Sequence, residues 1–191
     1  MEKEKEALIS RAIYMIKADD IKAFAWMLAE DLPEYIWHVG ASSTGKYHPA
    51  YSLGDGGLMR HMIATLTFLN HIISLEQYKL GEREKDLLRV AALFHDGLKS
   101  GTQEDYELSK YTKHDHPMLM GRHIMSYEGK CALPKHELSL IANCIASHMG
   151  EWTTSRMSDV VLPKPVTLYQ QIVHLADYLA SRKDLEVHFS L

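Results

Sequence analysis

The sequence predicts an all-α protein, and three observations carry that expectation. Apolar residues recur at spacings of three and four along most of the chain. No segment alternates apolar and polar residues as a half-buried strand would, and neither an internal repeat nor a low-complexity stretch interrupts the pattern. Pro33, Gly81, Pro117 and Pro134 fall at the edges of the periodic segments, where helices start or stop.

The elements follow in order. Leu8, Ile9, Ala12, Ile13 and Ile16 predict an amphipathic helix over about residues 4–18. Ile21, Phe24, Ala25 and Leu28 predict a second one that stops before Pro33. Residues 39–57, rich in Gly, Ser, Tyr and Pro, read as a long loop, and loops of that length are often functional. Met62, Leu66, Leu69 and Ile73 predict a helix over about 58–78, ended by Gly81. The next, over 82–95, is nearly apolar in its second half and belongs at the centre of a bundle. A polar stretch opens at Gly97 and Gly101 and runs to Lys113. Helices over 117–127 and 134–148 then start at prolines, which the first helical turn tolerates. A loop with Gly150, Pro163 and Pro165 leads to a last helix over about 166–182.

Composition narrows the class of function. A chain of 191 residues suits one domain, or one domain with a short helical extension, and can bury a core without disulfides. Hydrophobic residues at 46% and charged ones at 24% are an ordinary globular balance, so a metal here would serve chemistry rather than folding. Cys131 and Cys144 lie far apart, outside any zinc spacing, and read as reduced thiols. The start MEKEKEALIS has no apolar signal-peptide core, and no run reaches the about 20 apolar residues that span a bilayer. The expected location is the cytoplasm, with no membrane partner. A net charge of −4 argues against a dedicated binder of long nucleic acid and leaves small phosphorylated substrates open. The unusual number is twelve histidines, because imidazole is the commonest metal ligand.

Their placement is what carries chemistry. His95 and Asp96 end the apolar helix in RVAALFHDGLKS, where burial without partners costs several kcal/mol. A lone His-Asp pair of this kind is usually explained by capping and a hydrogen-bonded core histidine. Four further residues change the balance. His61 lies in GGLMRHMIATL, His116 in KHDHPMLMGRHIM, His148 in IANCIASHMGEW, and Asp177 among Ile172, Val173, Leu175 and Ala176. Several helices each carry an imidazole or carboxylate inward, as helical bundles do when they build metal sites. Imidazole with carboxylate suits Mn, Fe, Co, Ni or Zn better than Mg or Ca, which favour all-oxygen shells.

The order His, His-Asp, His, His, Asp with these flanks resembles the HD superfamily of metal-dependent phosphohydrolases over about residues 46–183, most specifically in GGLMRH, ALFHDGLK and HLADYLASR. It is similar in particular to the HD domain of bacterial 3′–5′ exoribonucleases, on KYHPAY before the Gly-Gly-Leu helix start and on Gly150-Glu151 after His148. The resemblance implies an HD-domain helical bundle with its metal site in the helix core. Residues 38–191 would form that domain and residues 1–37 an N-terminal helical segment packed on it. It implies His61, His95, Asp96 and Asp177 as ligands of a principal metal, and Asp96 bridging to a second ion held by His116 and His148. Lys99 matches a lysine that contacts phosphate oxygens. By helical spacing, Lys99 shares a face with His95 and Asp96 only where the helix continues past Gly97. Two departures matter. Met149 stands where two-metal relatives often have a second histidine, and thioether sulfur is a poor ligand for hard ions, so one tight metal and a weaker second site are expected. The interval from His116 to Gly121 is one residue longer than usual, which leaves His123 as an alternative to His116.

The expected activity is hydrolysis, by metal-activated water, of a phosphomonoester or phosphodiester in a nucleotide or short oligonucleotide, with Asp96 and Lys99 catalytic and Lys99, His48 and Arg182 binding substrate. The alternatives are a 3′–5′ exoribonuclease and a non-catalytic nucleotide-sensing HD module; the oligomeric state stays open. The string GASSTGK has P-loop spacing, but Tyr47 replaces the Mg-binding hydroxyl and Pro49 opposes the required helix. Tyr47, Tyr51 and Trp152 are candidate base-stacking residues in loops. His174, one turn before Asp177, is a candidate ligand or core histidine, and His38, His71, His136 and His188 are expected at the surface.

Overall fold

The computed structural model describes residues 2–189 apart from 43, 44, 46 and 47, so the Lys46 and Tyr47 expectations and part of GASSTGK lie outside the described residues. The described residues form eight α-helices: α1 (Glu2–Tyr14), α2 (Asp19–Glu30), α3 (Gly57–Ile73), α4 (Glu82–Phe94), α5 (Gln103–Leu108), α6 (His116–Met125), α7 (Lys135–Ala146) and α8 (Leu168–Ala180). Short 3-10 turns lie at Glu34–Trp37, Ala50–Ser52 and Glu76–Tyr78. Among the described residues the sole β pairing is an isolated bridge between Ser155 and Ser158. The protein is all-α.

Helix α4 occupies the middle because its second half has no polar face. Leu88 and Val90 through Phe94 are completely buried, against α3, α7, α8 and α2. Helix α3 packs on α4 and along α8, and α6 pairs with α7. The apolar stripe of α1 joins the same core as Phe24 and Leu28 of α2 and Met59 and Met62 of α3.

Polar ties fix how α1 and α2 sit. The periodicity predicts α1 running to about residue 18, but the helix ends at Tyr14 because Asp86 of α4 accepts the backbone N–H groups of Lys17 (3.0 Å) and Ala18 (2.8 Å). Asp86 is buried and its other oxygen accepts from Arg89 at 2.5 Å. Asp86→Ala would leave two N–H groups and a guanidinium without their acceptor. It is expected to lower unfolding free energy by about 3 kcal/mol. Urea denaturation checks this; a loss below about 1 kcal/mol would show that water replaces the carboxylate.

The loop before α3 is ordered by the helices it crosses. Arg60 donates from Nε to Tyr51 O (2.6 Å) and from Nη2 to Leu53 O (3.1 Å), and the Tyr51 hydroxyl donates to Ala180 O at the end of α8 (2.9 Å). Tyr51 is therefore an anchor between loop and helix. Helix α3 ends at Ile73, short of the expected 78, and the chain continues through the 3-10 turn and a left-handed Lys79 (φ 48°). The polar stretch after α4 contains α5, capped reciprocally by Thr102 and Asp105. Reciprocal capping by Thr167 and Gln170 starts α8 at Leu168.

Candidate metal centre

Five helices, or the residues that directly follow them, deliver the expected ligands to a common point. Helix α3 supplies His61 from its second turn, α8 supplies Asp177, and His95 and Asp96 follow the last residue of α4. His61 Nε2 lies 3.0 Å from Asp177 Oδ1, and His95 Nε2 lies 3.4 Å from the same oxygen. The two Nε2 atoms are 3.3 Å apart, with Asp96 Oδ2 at 3.7 Å from His61 and 3.5 Å from His95. The other Asp96 oxygen, Oδ1, faces His116 Nε2 at 2.9 Å and His148 Nε2 at 3.6 Å. The single Asp96 carboxylate thus stands between a His61/His95/Asp177 group and a His116/His148 pair.

The chain makes the turn that presents them with 3-10-type bonds, Gly97 N–H to Phe94 O (3.0 Å) and Lys99 N–H to Asp96 O (3.0 Å). The helix does not continue past Gly97, yet Lys99 reaches Asp96 Oδ2 at 2.5 Å because residues three apart eclipse in this tighter geometry. Gly97 permits the close approach: a Cβ there would lie 2.8 Å from Leu32 Cδ2 and 3.1 Å from Met120 Sδ.

The tautomers are set from behind. His95 Nδ1 donates to Ala92 O (2.8 Å), His148 Nδ1 to Ile145 O (2.8 Å) and His116 Nδ1 to Lys113 O (2.6 Å). A carbonyl can only accept, so each neutral ring keeps its proton on Nδ1 and turns a bare Nε2 lone pair inward, the arrangement typical of ligating histidines. Lone pairs then face lone pairs and carboxylate oxygens in a buried place, and His116 Nε2 and Asp96 Oδ1 have no hydrogen-bond partner. Without a cation such an arrangement is repulsive, so the donor set fits a divalent metal.

Electrostatics agree. Burial opposes charge on Asp96, but Lys99, His95 and His116 hold its carboxyl well below the usual range. Burial likewise opposes charge on Asp177, and hydrogen bonds from His61 and His95 hold its carboxyl well down. Burial disfavours the charged His95 imidazole, yet Asp96 and Asp177 raise its pKa. Burial and the neighbouring His95 push His148 down to about 3.

These shifts set a pH dependence for the metal-free protein. Burial also lowers His48, to about 4, and His123. A histidine whose folded pKa lies below its unfolded value contributes stability that is fully present above about pH 6.5 and lost as pH falls. His95 has the opposite sign, but its contribution is complete below about pH 6.5. Metal-free protein is expected to lose on the order of 2 kcal/mol between pH 6.5 and pH 5 from His148 alone, with His48 and His123 adding in the same direction. Urea titrations at the two pH values test it; equal stabilities would contradict it.

The remaining expected residues divide. His116, and not His123, reaches Asp96: His123 is turned to Asp31 at 3.3 Å. Seven residues return a side chain to nearly the same face, but about 10 Å further along the axis. His48 sits over the cluster, its ring 5.5 Å from that of His61 and its buried Nδ1 without a partner. His174 is a buttress, its Nδ1 donating to His148 O at 2.7 Å. Arg182 packs its guanidinium 4.4 Å over the Tyr178 ring. His38, His71, His136 and His188 are exposed as expected. Sequence reasoning passed over Tyr178; its signal was the spacing of four residues from both His174 and Arg182 along one helix.

A helical bundle closing on buried imidazoles and carboxylates defines an α-protein with a cluster that could hold a metal ion. The HD domain family profile matches residues 58–182, and the chain belongs to that family, a superfamily of metal-dependent phosphohydrolases. No curated protein and no solved structure matched the chain in the same comparisons. Among the described residues no helix is long and apolar enough to cross a membrane.

Proposed function

We propose that the protein hydrolyses a phosphomonoester or phosphodiester of a nucleotide or short oligonucleotide. The observation that carries this reading is the two-sided use of Asp96. One oxygen faces His61, His95 and Asp177 groups, the other faces His116 and His148, and Lys99 lies against the same carboxylate. His61, His95, Asp96 and Asp177 would hold a tight Mn, Fe, Co, Ni or Zn ion, with a weaker second position at His116 and His148. Bound there, such an ion supplies Lewis acidity and a water acidified towards a pKa of about 7.

The chain's own groups supply the rest. Asp96 orients the reacting water besides holding metal. Lys99, partly open to solvent, donates to the phosphoryl oxygens on which charge grows. His48 is neutral near pH 7, because burial and then His61 and Lys99 lower its pKa to about 4, so it meets substrate as a hydrogen-bonding imidazole. Arg182 binds a phosphate oxygen. The reading takes residues 38–191 as the catalytic domain and 1–37 as a helical segment packed on it. It locates the protein in the cytoplasm, consistent with free thiols at Cys131 and Cys144.

The test is turnover of a nucleotide panel and of bis-p-nitrophenyl phosphate with added Mn, Co or Ni. Metal-dependent hydrolysis that Asp96→Ala abolishes supports the reading. Tight nucleotide binding without turnover under every metal would assign a sensing module instead.

A further inference from the structure

Trp152 is an exposed aromatic on the turn that also carries His148. It is 52% exposed, and its ring lies nearly parallel to Tyr178 of α8, at 11° and 6.1 Å between centroids. Arg182, one turn beyond Tyr178, continues the stack with its guanidinium 4.4 Å from the Tyr178 ring, and its buried Nε has no hydrogen-bond partner. Tryptophan, tyrosine and arginine thus form one ladder of planar groups, with the indole about half open to water.

The ladder is tied to the candidate metal centre at two points. Tyr178 follows Asp177 directly in α8. Asp177 is also where the cluster opens: its side chain is 16% exposed, against 1% for His61 and Asp96. Trp152 is carried by the turn after α7 that also carries His148. That turn is clamped onto α8, because His174 donates to His148 O and its ring lies near both Trp152 and Tyr178, at 6.4 Å from each. Gly150 makes the clamp possible: its φ is +64°, and a Cβ there would stand 2.1 Å from His174 Cε1. The indole is therefore preorganised, which reduces the entropy lost when a ligand stacks on it.

On the reading of the cluster as a phosphoester hydrolase, we propose that Trp152, backed by Tyr178, is the platform for the substrate's base, and that Arg182 supplies a donor to a phosphate oxygen of the same molecule. The substrate is then a nucleotide whose base is recognised by its π-face. Stacking of this kind tolerates every base. The site should discriminate strongly between nucleotides and base-free phosphate esters, and weakly among nucleotides.

Two readouts separate this proposal from the hydrolase reading it rests on. The first is binding, measured by isothermal titration calorimetry on the whole chain titrated with adenosine 5′-monophosphate, cytidine 5′-monophosphate or ribose 5-phosphate. Both nucleotides are expected to bind with similar affinity, and ribose 5-phosphate about tenfold or more weakly. Trp152→Ala should weaken nucleotide binding about tenfold, and Trp152→Phe should restore most of it. The second is the ratio of kcat/KM for a nucleotide over that for ribose 5-phosphate, expected to fall about tenfold in Trp152→Ala and to recover in Trp152→Phe. Equal binding of nucleotide and ribose phosphate, or undiminished nucleotide binding by Trp152→Ala, overturns the platform even where turnover is found. Base-selective binding through Trp152 without turnover under any metal keeps the platform and overturns the hydrolase reading.

Discussion

Asp96→Asn is expected to reduce metal-dependent phosphoester hydrolysis by roughly 1000-fold or more, the effect of losing several kcal/mol of transition-state charge stabilisation. Both oxygens of this carboxylate are in use. Oδ2 faces the His61/His95/Asp177 group and the Lys99 ammonium, and Oδ1 faces His116 and His148. Asparagine keeps the shape but replaces one anionic acceptor by an NH₂ donor, which can approach neither a cation nor Lys99. Metal content measured on the purified variant should fall with the activity, because one residue serves both positions. The fold should survive, since the substitution is isosteric and Lys99 is open enough to turn to water. A variant that keeps more than a tenth of wild-type kcat/KM would remove Asp96 from the chemistry.

Adding a tightly bound divalent transition ion is expected to raise the melting temperature by about 10 °C. A ligand at about 1000 times its Kd contributes about 4 kcal/mol, and each kcal/mol is worth roughly 2–4 °C in a domain of this size. The gain arises because the metal-free cluster is poor in hydrogen bonds: Asp96 Oδ1 and His116 Nε2 are buried without partners. The Nε2 atoms of His61 and His95 stand 3.3 Å apart between two carboxylates. A cation turns these close approaches into bonds. Chelator should reverse the shift, and Asp96→Asn should show little of it. Differential scanning calorimetry across Mn, Co, Ni and Zn measures this; shifts below about 2 °C for every ion would leave the cluster without a metal function.

Much of the site was legible in the sequence because burial made it so. A charged pair ending the apolar run of α4, and an aspartate among the apolar residues of α8, each need a partner, and in a helical bundle the partners come from other helices. The histidine choice was harder. His116 and His123 share a helical face, but position along the axis decides which one reaches Asp96, and that depends on how far α6 lies from α4. Lys99 came to Asp96 by a 3-10 turn, a geometry that α-helical spacing does not anticipate.

The errors at helix ends have local or distant causes. The early end of α1 is imposed by Asp86, about seventy residues away, and no property of residues 15–18 announces it. Helix α5 was readable from its Thr102–Asp105 capping pair, but the glycines on either side of Ser100 and the short length hid it. The ladder of Trp152, Tyr178 and Arg182 needs the turn at Gly150 to fold back on α8, a contact between segments that sequence spacing does not reveal.

The central claim is that His61, His95, Asp96 and Asp177 together hold one divalent transition ion. Anomalous diffraction from crystals grown with Mn or Ni, recorded at the absorption edge of the added ion, tests it most directly. A strong peak within about 2.0–2.2 Å of His61 Nε2, His95 Nε2 and the nearest oxygens of Asp96 and Asp177 is the expected result. No peak there, with the ion instead bound at surface histidines such as His38 or His136, would contradict it.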